Sequence, residues 1–162
     1  MNSLADYTSL ELLLPKLQSR DSAQALKELC GRLEYAGKVP NSALFYNAVM
    51  AREKLSSTAT SPGWAMPHSR IQGLSELSFA LGMSPEPMEW LGNSAVPVSM
   101  IFLFAVPETE IGSYLRVISG LARLNRKPAL LSELLRVVDS QAMLELLRQI
   151  SVGEVRPPVL KG

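Results

Sequence analysis

The stretch WAMPHSR, residues 64–70, holds the chain's single histidine, His68, directly after Pro67. An imidazole can be a nucleophile, a general base or a plain hydrogen-bonding group, and its neighbours decide which. Pro67 restricts the backbone just before the ring and so gives it a defined direction. Upstream lie the hydroxyls of Ser56, Ser57, Thr58, Thr60 and Ser61, and before them Arg52. A phosphoryl group needs such an assembly. One ring nitrogen attacks phosphorus while the other donates to a carbonyl or carboxylate that fixes the tautomer. A guanidinium supplies charge and a fork of donors for the phosphoryl oxygens. Hydroxyls and a helix N-terminus supply further donors. Transfer of this kind is mainly positioning and electrostatics, so few special residues are required. Against it stands the plainer reading, in which His68 donates one structural hydrogen bond.

Other chemistries lack their residues. No Gly-x-Ser-x-Gly elbow accompanies the histidine, and no Walker-type phosphate loop occurs. One cysteine, Cys30, and one histidine argue against zinc, which takes about four N/S ligands, or three plus water. No loop has the Asp/Asn spacing of an EF-hand, so no metal and no cofactor are expected. A lone cysteine forms no internal disulfide, which fits a reducing compartment. Sixteen Lys+Arg against fifteen Asp+Glu leave a net charge of +1, without the basic block of a nucleic-acid or membrane-surface protein. The opening MNSLADYTSLELLL has no basic region of a secretory signal, and no apolar run approaches the ~20 residues of a membrane span. The expectation is a cytoplasmic domain.

These residues must be positioned by a fold. The chain has 162 residues, 47% hydrophobic and 19% charged, enough for one domain with a proper core. Asp21 and Gln24 read as a helix start, Leu26, Leu29, Cys30 and Leu33 as its buried stripe, and Gly37 as its stop. Residues 40–42 open a second helix whose apolar Leu44, Phe45, Ala48, Val49 and Leu55 project onto one face. Arg52 falls near the middle of that face, and Glu53 and Lys54 project away from it. From helix geometry Arg52 has two readings: it snorkels outward at the helix end, or it points into a cleft and holds an anion.

Residues 56–63 are turn-rich, and residues 64–66 look extended. The clearest strands are residues 77–83 and 97–106; the second is apolar on both faces, as expected of a central strand covered by helices on both sides. Residues 84–87 read as a loop and 88–91 as a short edge strand. Helices follow, one ending near Asn125, one over residues 128–137, and a last one capped by Asp139. The order predicts an α/β fold with a mixed β-sheet flanked by helices on both faces, over residues 1–152, followed by a flexible tail over residues 153–162.

At this point the residues resemble a known family. Ala51-Arg52-Glu53-Lys54-Leu55-Ser56-Ser57-Thr58, a Gly-containing turn, and Ala65-Met66-Pro67-His68 are similar to the signature of type 2 enzyme IIA domains. These are the fructose/mannitol and nitrogen-regulatory IIA domains of the bacterial phosphoenolpyruvate-dependent sugar phosphotransferase system. The resemblance covers roughly residues 8 to 151 and includes Met88-Glu89-Trp90, the strand through Ile101-Phe102, and Tyr114-Leu115 opening a later helix. It implies a mixed sheet flanked by helices in a three-layer arrangement. It implies that His68 accepts a phosphoryl group from the carrier HPr and passes it to a IIB protein in sugar uptake. Arg52 then neutralises the phosphoryl group, and Ser57 and Thr58 support it. As an alternative, the resemblance implies a regulatory protein whose phosphorylation state controls its protein partners.

Two departures stand out. Many members carry a second histidine where this chain has Tyr114. Tyrosine donates a hydrogen bond but does not become a cation. The turn reads Ser61-Pro62-Gly63-Trp64 instead of a glycine-rich run, and Trp64 serves either packing or a partner contact. These departures also admit a copy that no longer transfers phosphate.

Overall fold

A computed structural model describes residues 2–91 and 93–153 of the chain, with no account of the side chains of residues 93 and 94. Two short 3-10 turns, Leu4–Tyr7 and Leu10–Leu12, lead into strand β1 (Leu13–Leu14). Helices α1 (Ser22–Tyr35) and α2 (Ser42–Leu55) follow, then strands β2 (Trp64–Ala65), β3 (His68–Ile71), β4 (Ser78–Trp90) and β5 (Asn93–Pro107). Helices α3 (Gly112–Asn125), α4 (Pro128–Arg136) and α5 (Ser140–Arg148) complete the described fold.

Helix ends follow local chemistry. Asp21, Asn41 and Asp139 each accept the backbone N–H of the residue three positions on, which caps α1, α2 and α5. At the end of α1, Gly37 takes φ +73°, and the N–H groups of Gly37 and Lys38 return to the carbonyls of Glu34 and Leu33. That pair of bonds is a Schellman stop, and only glycine adopts its left-handed backbone cheaply.

The sheet is mixed. Its order is β1-β4-β5-β2, with β3 also on β5; β1, β2 and β3 run parallel to their neighbours and β4 antiparallel to β5. Strand β5 sits centrally and sends alternate side chains to opposite faces. Met100, Phe102, Phe104 and Val106 pack with residues of α3, α4 and α5, whereas Ile101, Leu103 and Ala105 pack with α1 and α2. This double burial bears out the apolar-both-faces reading of that strand.

Other expectations need correction. Residues 84–90 are neither a loop nor a separate edge strand. They continue β4, and Trp90 at its end is fully buried, with Leu91 in the turn that follows. Pro85 and Pro87 are accommodated because the β4–β5 register shifts between Met83 and Met88, where ladder donors are not required. Strand β1 is too short to show a period and was not foreseen. The buried face of α2 carries Phe45, Val49 and Glu53, while Leu44 and Leu55 are 67% and 84% exposed. Among the described residues no helix is long and apolar enough to cross a membrane. Of the expected tail, Gly153 is buried and hydrogen-bonded to Arg116 through both its N–H and its carbonyl; residues 154–162 lie outside the described residues.

Candidate functional site

His68 opens β3, paired in parallel register with Phe104 of β5. It stands between two helices: α2 packs along β3, and the first turn of α3 brings Tyr114 onto the ring. The His68 and Tyr114 rings lie 5.3 Å apart at 37°, and Tyr114 in turn meets Phe104 edge-on at 5.4 Å and 83°. The imidazole is half-buried. Its Nδ1 faces the carbonyl oxygen of Met66 at 3.2 Å. A carbonyl only accepts, so Nδ1 carries the proton in this bond and Nε2 is left with its lone pair.

The backbone holding that carbonyl is itself tied down. The N–H of Met66 donates to Thr58 Oγ1 at 2.9 Å, and Pro67 restricts the next residue. Before it, the carbonyl of Gly63 accepts from Ser99 and Met100 of β5. Gly63 has φ +119°, and a Cβ there would lie 3.1 Å from the Pro97 carbonyl, so the turn approaches the sheet as only glycine allows. Trp64 is 5% exposed and packs on Phe102 at 5.6 Å, which gives it a packing role.

Arg52 is exposed on α2, not set in the middle of a buried stripe. Its charge still reaches the site. Burial pushes the Tyr114 hydroxyl above the usual phenol value, and the Arg52 guanidinium offsets part of that rise. Tyr114 is therefore a neutral donor at physiological pH. Arg70, two residues beyond His68 and so on the same face of β3, is a second exposed cation that the sequence reading passed over. Strand alternation from His68 was the signal that could have found it.

The hydroxyl pair separates. Ser57 is exposed, and its Oγ accepts from the N–H of Ala59, a local turn bond. Thr58 alone connects to the site. The carboxylate that sequence reasoning sent to solvent, Glu53, is 3% exposed. Its Oε1 accepts from Thr58 N at 2.6 Å, Thr58 Oγ1 at 2.8 Å and Trp90 Nε1 at 2.8 Å. At the start of α3, the Glu110 carboxylate accepts from the N–H and hydroxyl of Ser113, and those bonds hold its carboxyl below the usual range. Among the described residues, no three His, Cys, Asp or Glu side chains converge as a metal site would require.

The arrangement presents one imidazole nitrogen with a free lone pair next to a neutral phenol, and that phenol feels the charge of the exposed Arg52. Residues 7–150 match the family described as "Phosphoenolpyruvate-dependent sugar phosphotransferase system, EIIA 2". Over 145 residues the chain is 28% identical to a nitrogen regulatory protein of Bradyrhizobium diazoefficiens, covering 89% of this chain and 94% of that one. It is 30% identical over 114 residues to the PTS system 2-O-alpha-mannosyl-D-glycerate-specific EIIABC component of Escherichia coli, covering 70% of this chain but 17% of that protein. The crystal structure of nitrogen regulatory protein IIA-Ntr from Neisseria meningitidis superposes with a TM-score of 0.78 at 26% identity, covering 88% of this chain and 97% of that one.

Proposed function

The chain belongs to the EIIA 2 family of the phosphoenolpyruvate-dependent sugar phosphotransferase system, and on that premise we propose that it is a phosphohistidine carrier working through His68. Nε2 attacks the phosphorus of a phosphohistidine on an HPr-like protein. The new P–N bond forms as the donor's P–N bond breaks, and the donor imidazole leaves with the electron pair. The observation that carries this is the Nδ1–Met66 carbonyl bond, which leaves the opposite nitrogen free to attack. Arg52, exposed and close enough to bias Tyr114, neutralises the incoming phosphoryl charge, and Tyr114 donates to a phosphoryl oxygen. Pro67 and Thr58 hold the backbone behind the ring. A protein partner would meet exposed apolar side chains on the helices that flank His68, Leu44 and Leu55 on α2 and Leu115 on α3, with Ile111 just before α3. Residues 1–152 act as one cytoplasmic unit that needs no cofactor.

The test is incubation with phosphoenolpyruvate, enzyme I and HPr, followed by intact mass. The expected result is one phosphoryl group on wild type and none on His68→Ala. Label that persists in His68→Ala overturns the site.

The acceptor of the phosphoryl group has two readings. In sugar uptake it is a IIB protein, as expected for a relative of the sugar-specific EIIABC components. The near end-to-end match to a nitrogen regulatory protein favours the other, in which phosphorylation selects protein partners. Pull-downs with phosphorylated wild type and with His68→Ala separate them: different partner sets support regulation, and identical sets count against it.

A further inference from the structure

Glu53 is the buried group that the transfer chemistry leaves unused. Its Oε1 takes three donors, and its Oε2, also buried, has no partner among the described residues. No cation pairs with it there either; the described salt bridge is Arg148–Glu145. Desolvating a carboxylate without a counter-charge is costly. A leucine at this position would continue the Phe45–Val49 stripe without that cost, so the stripe alone does not account for the carboxylate. Its bonds do something more specific.

The hydroxyl of Thr58 has one proton, and that proton goes to Glu53 Oε1. The rotor is thereby fixed, and a lone pair of Oγ1 faces the N–H of Met66. The carbonyl of the same Met66 faces Nδ1 of His68. A continuous chain thus runs from a buried carboxylate through a hydroxyl and a backbone unit to the imidazole. At its far end, Trp90 anchors Glu53 to the end of β4. We propose that Glu53 is a positioning residue for His68: through Thr58 and Met66 it orients the carbonyl that holds the proton on Nδ1 and so keeps Nε2 as the attacking nitrogen. This rests on the phosphocarrier reading for its purpose but not for its test.

Because His68 is the chain's only histidine, its two ring nitrogens are observed without overlap in uniformly 15N-labelled protein. In neutral wild type, Nε2 is expected at a pyridine-like shift and Nδ1 at a protonated one. Glu53→Ala and Thr58→Val are expected to mix the two tautomers and to slow phosphoryl labelling by roughly 10–100-fold, the range that loss of the orienting partner of a metal-ligating histidine produces. Glu53→Gln keeps an acceptor oxygen and is expected to restore both the tautomer and the rate, which a purely volumetric role does not predict. Circular dichroism confirms that each variant is folded; should Glu53→Ala fail to fold, the near-isosteric Thr58→Val carries the test. Folded variants with the wild-type 15N pattern and rate would overturn the proposal, as would a wild type protonated on Nε2. Wild type that holds the Nδ1–H tautomer yet takes no label supports the positioning role while removing the phosphocarrier reading.

Discussion

Replacing Trp90 by phenylalanine separates what the buried network contributes to stability from what it contributes to the site. Trp90 is 0% exposed, and its indole N–H donates to Glu53 Oε1 at 2.8 Å. A hydrogen bond to a charged group is worth about 1.5–3 kcal/mol, and its loss here leaves the carboxylate with fewer donors. The smaller ring leaves a hole of roughly 40 Å³, which at about 24 cal/mol per Å³ adds about 1 kcal/mol. Together the loss is about 3 kcal/mol, or roughly 6–12 °C in Tm for a chain of this size. Urea unfolding followed by far-UV circular dichroism measures it, with the midpoint falling and the slope unchanged. The labelling rate of His68 is expected to stay close to wild type, because both bonds from Thr58 to Glu53 survive. A loss below about 1 kcal/mol would refute the reasoning, since neither the bond nor the packing would then matter as inferred.

Other outcomes follow from the same geometry. Arg52→Ala is expected to slow labelling by about 100-fold and Arg52→Lys by less, since an ammonium keeps the charge but not the fork; time-resolved intact mass reads both. Tyr114→Phe keeps the stack on His68 and Phe104 but removes the donor, so the phosphohistidine half-life shortens by about tenfold with stability little changed, whereas Tyr114→Ala also lowers the unfolding midpoint. The Glu110 carboxyl is held below its usual 4.5 by Ser113, so its cap is fully effective above that value and is lost as pH falls through its lower folded value. Glu110→Gln should therefore flatten the acid limb of a stability–pH curve and leave the neutral plateau nearly unchanged. Cys30, which burial pushes up to about 12, should resist a disulfide reagent at pH 8 in the native state and react on unfolding.

Much of this fold is written locally. The caps at Asp21 and Asp139, the stop at Gly37 and the doubly apolar β5 depend on residues within a few positions of one another, and they were legible. The α2 face was not. Leu44, Ala48 and Leu55 mark one stripe and Phe45 and Val49 its neighbour, about 100° away, and the apolar pattern alone does not choose between them. Phe45 and Val49 turn inward and carry Glu53 with them. A charge at the end of a buried stripe looks like an error until its partners are counted, and they lie at residues 58 and 90. The Pro85 and Pro87 segment failed for a related reason. Proline forbids a ladder donor, but whether one is needed depends on the register of a strand fifteen residues long that follows it.

Arg52 and Glu53 are adjacent, and that adjacency organises the site. Successive helix residues point about 100° apart, so a helix rotation that buries one turns the other toward the rim. Three hydrogen bonds fix the depth of Glu53, and the direction of Arg52 follows from them without a hydrogen bond or ion pair of its own among the described residues. The anion therefore lies behind His68, reaching it only through Thr58 and the Met66 backbone, while the cation is exposed, as the proposed phosphoryl transfer requires. Had the carboxylate reached the front, its charge would repel the incoming phosphoryl oxygens. Had the guanidinium been buried, it would lack both water and a partner. In the proposed transfer, Tyr114 can serve as a neutral donor because positive charge comes from Arg52 on α2, whose outward direction is the counterpart of the inward turn of Glu53.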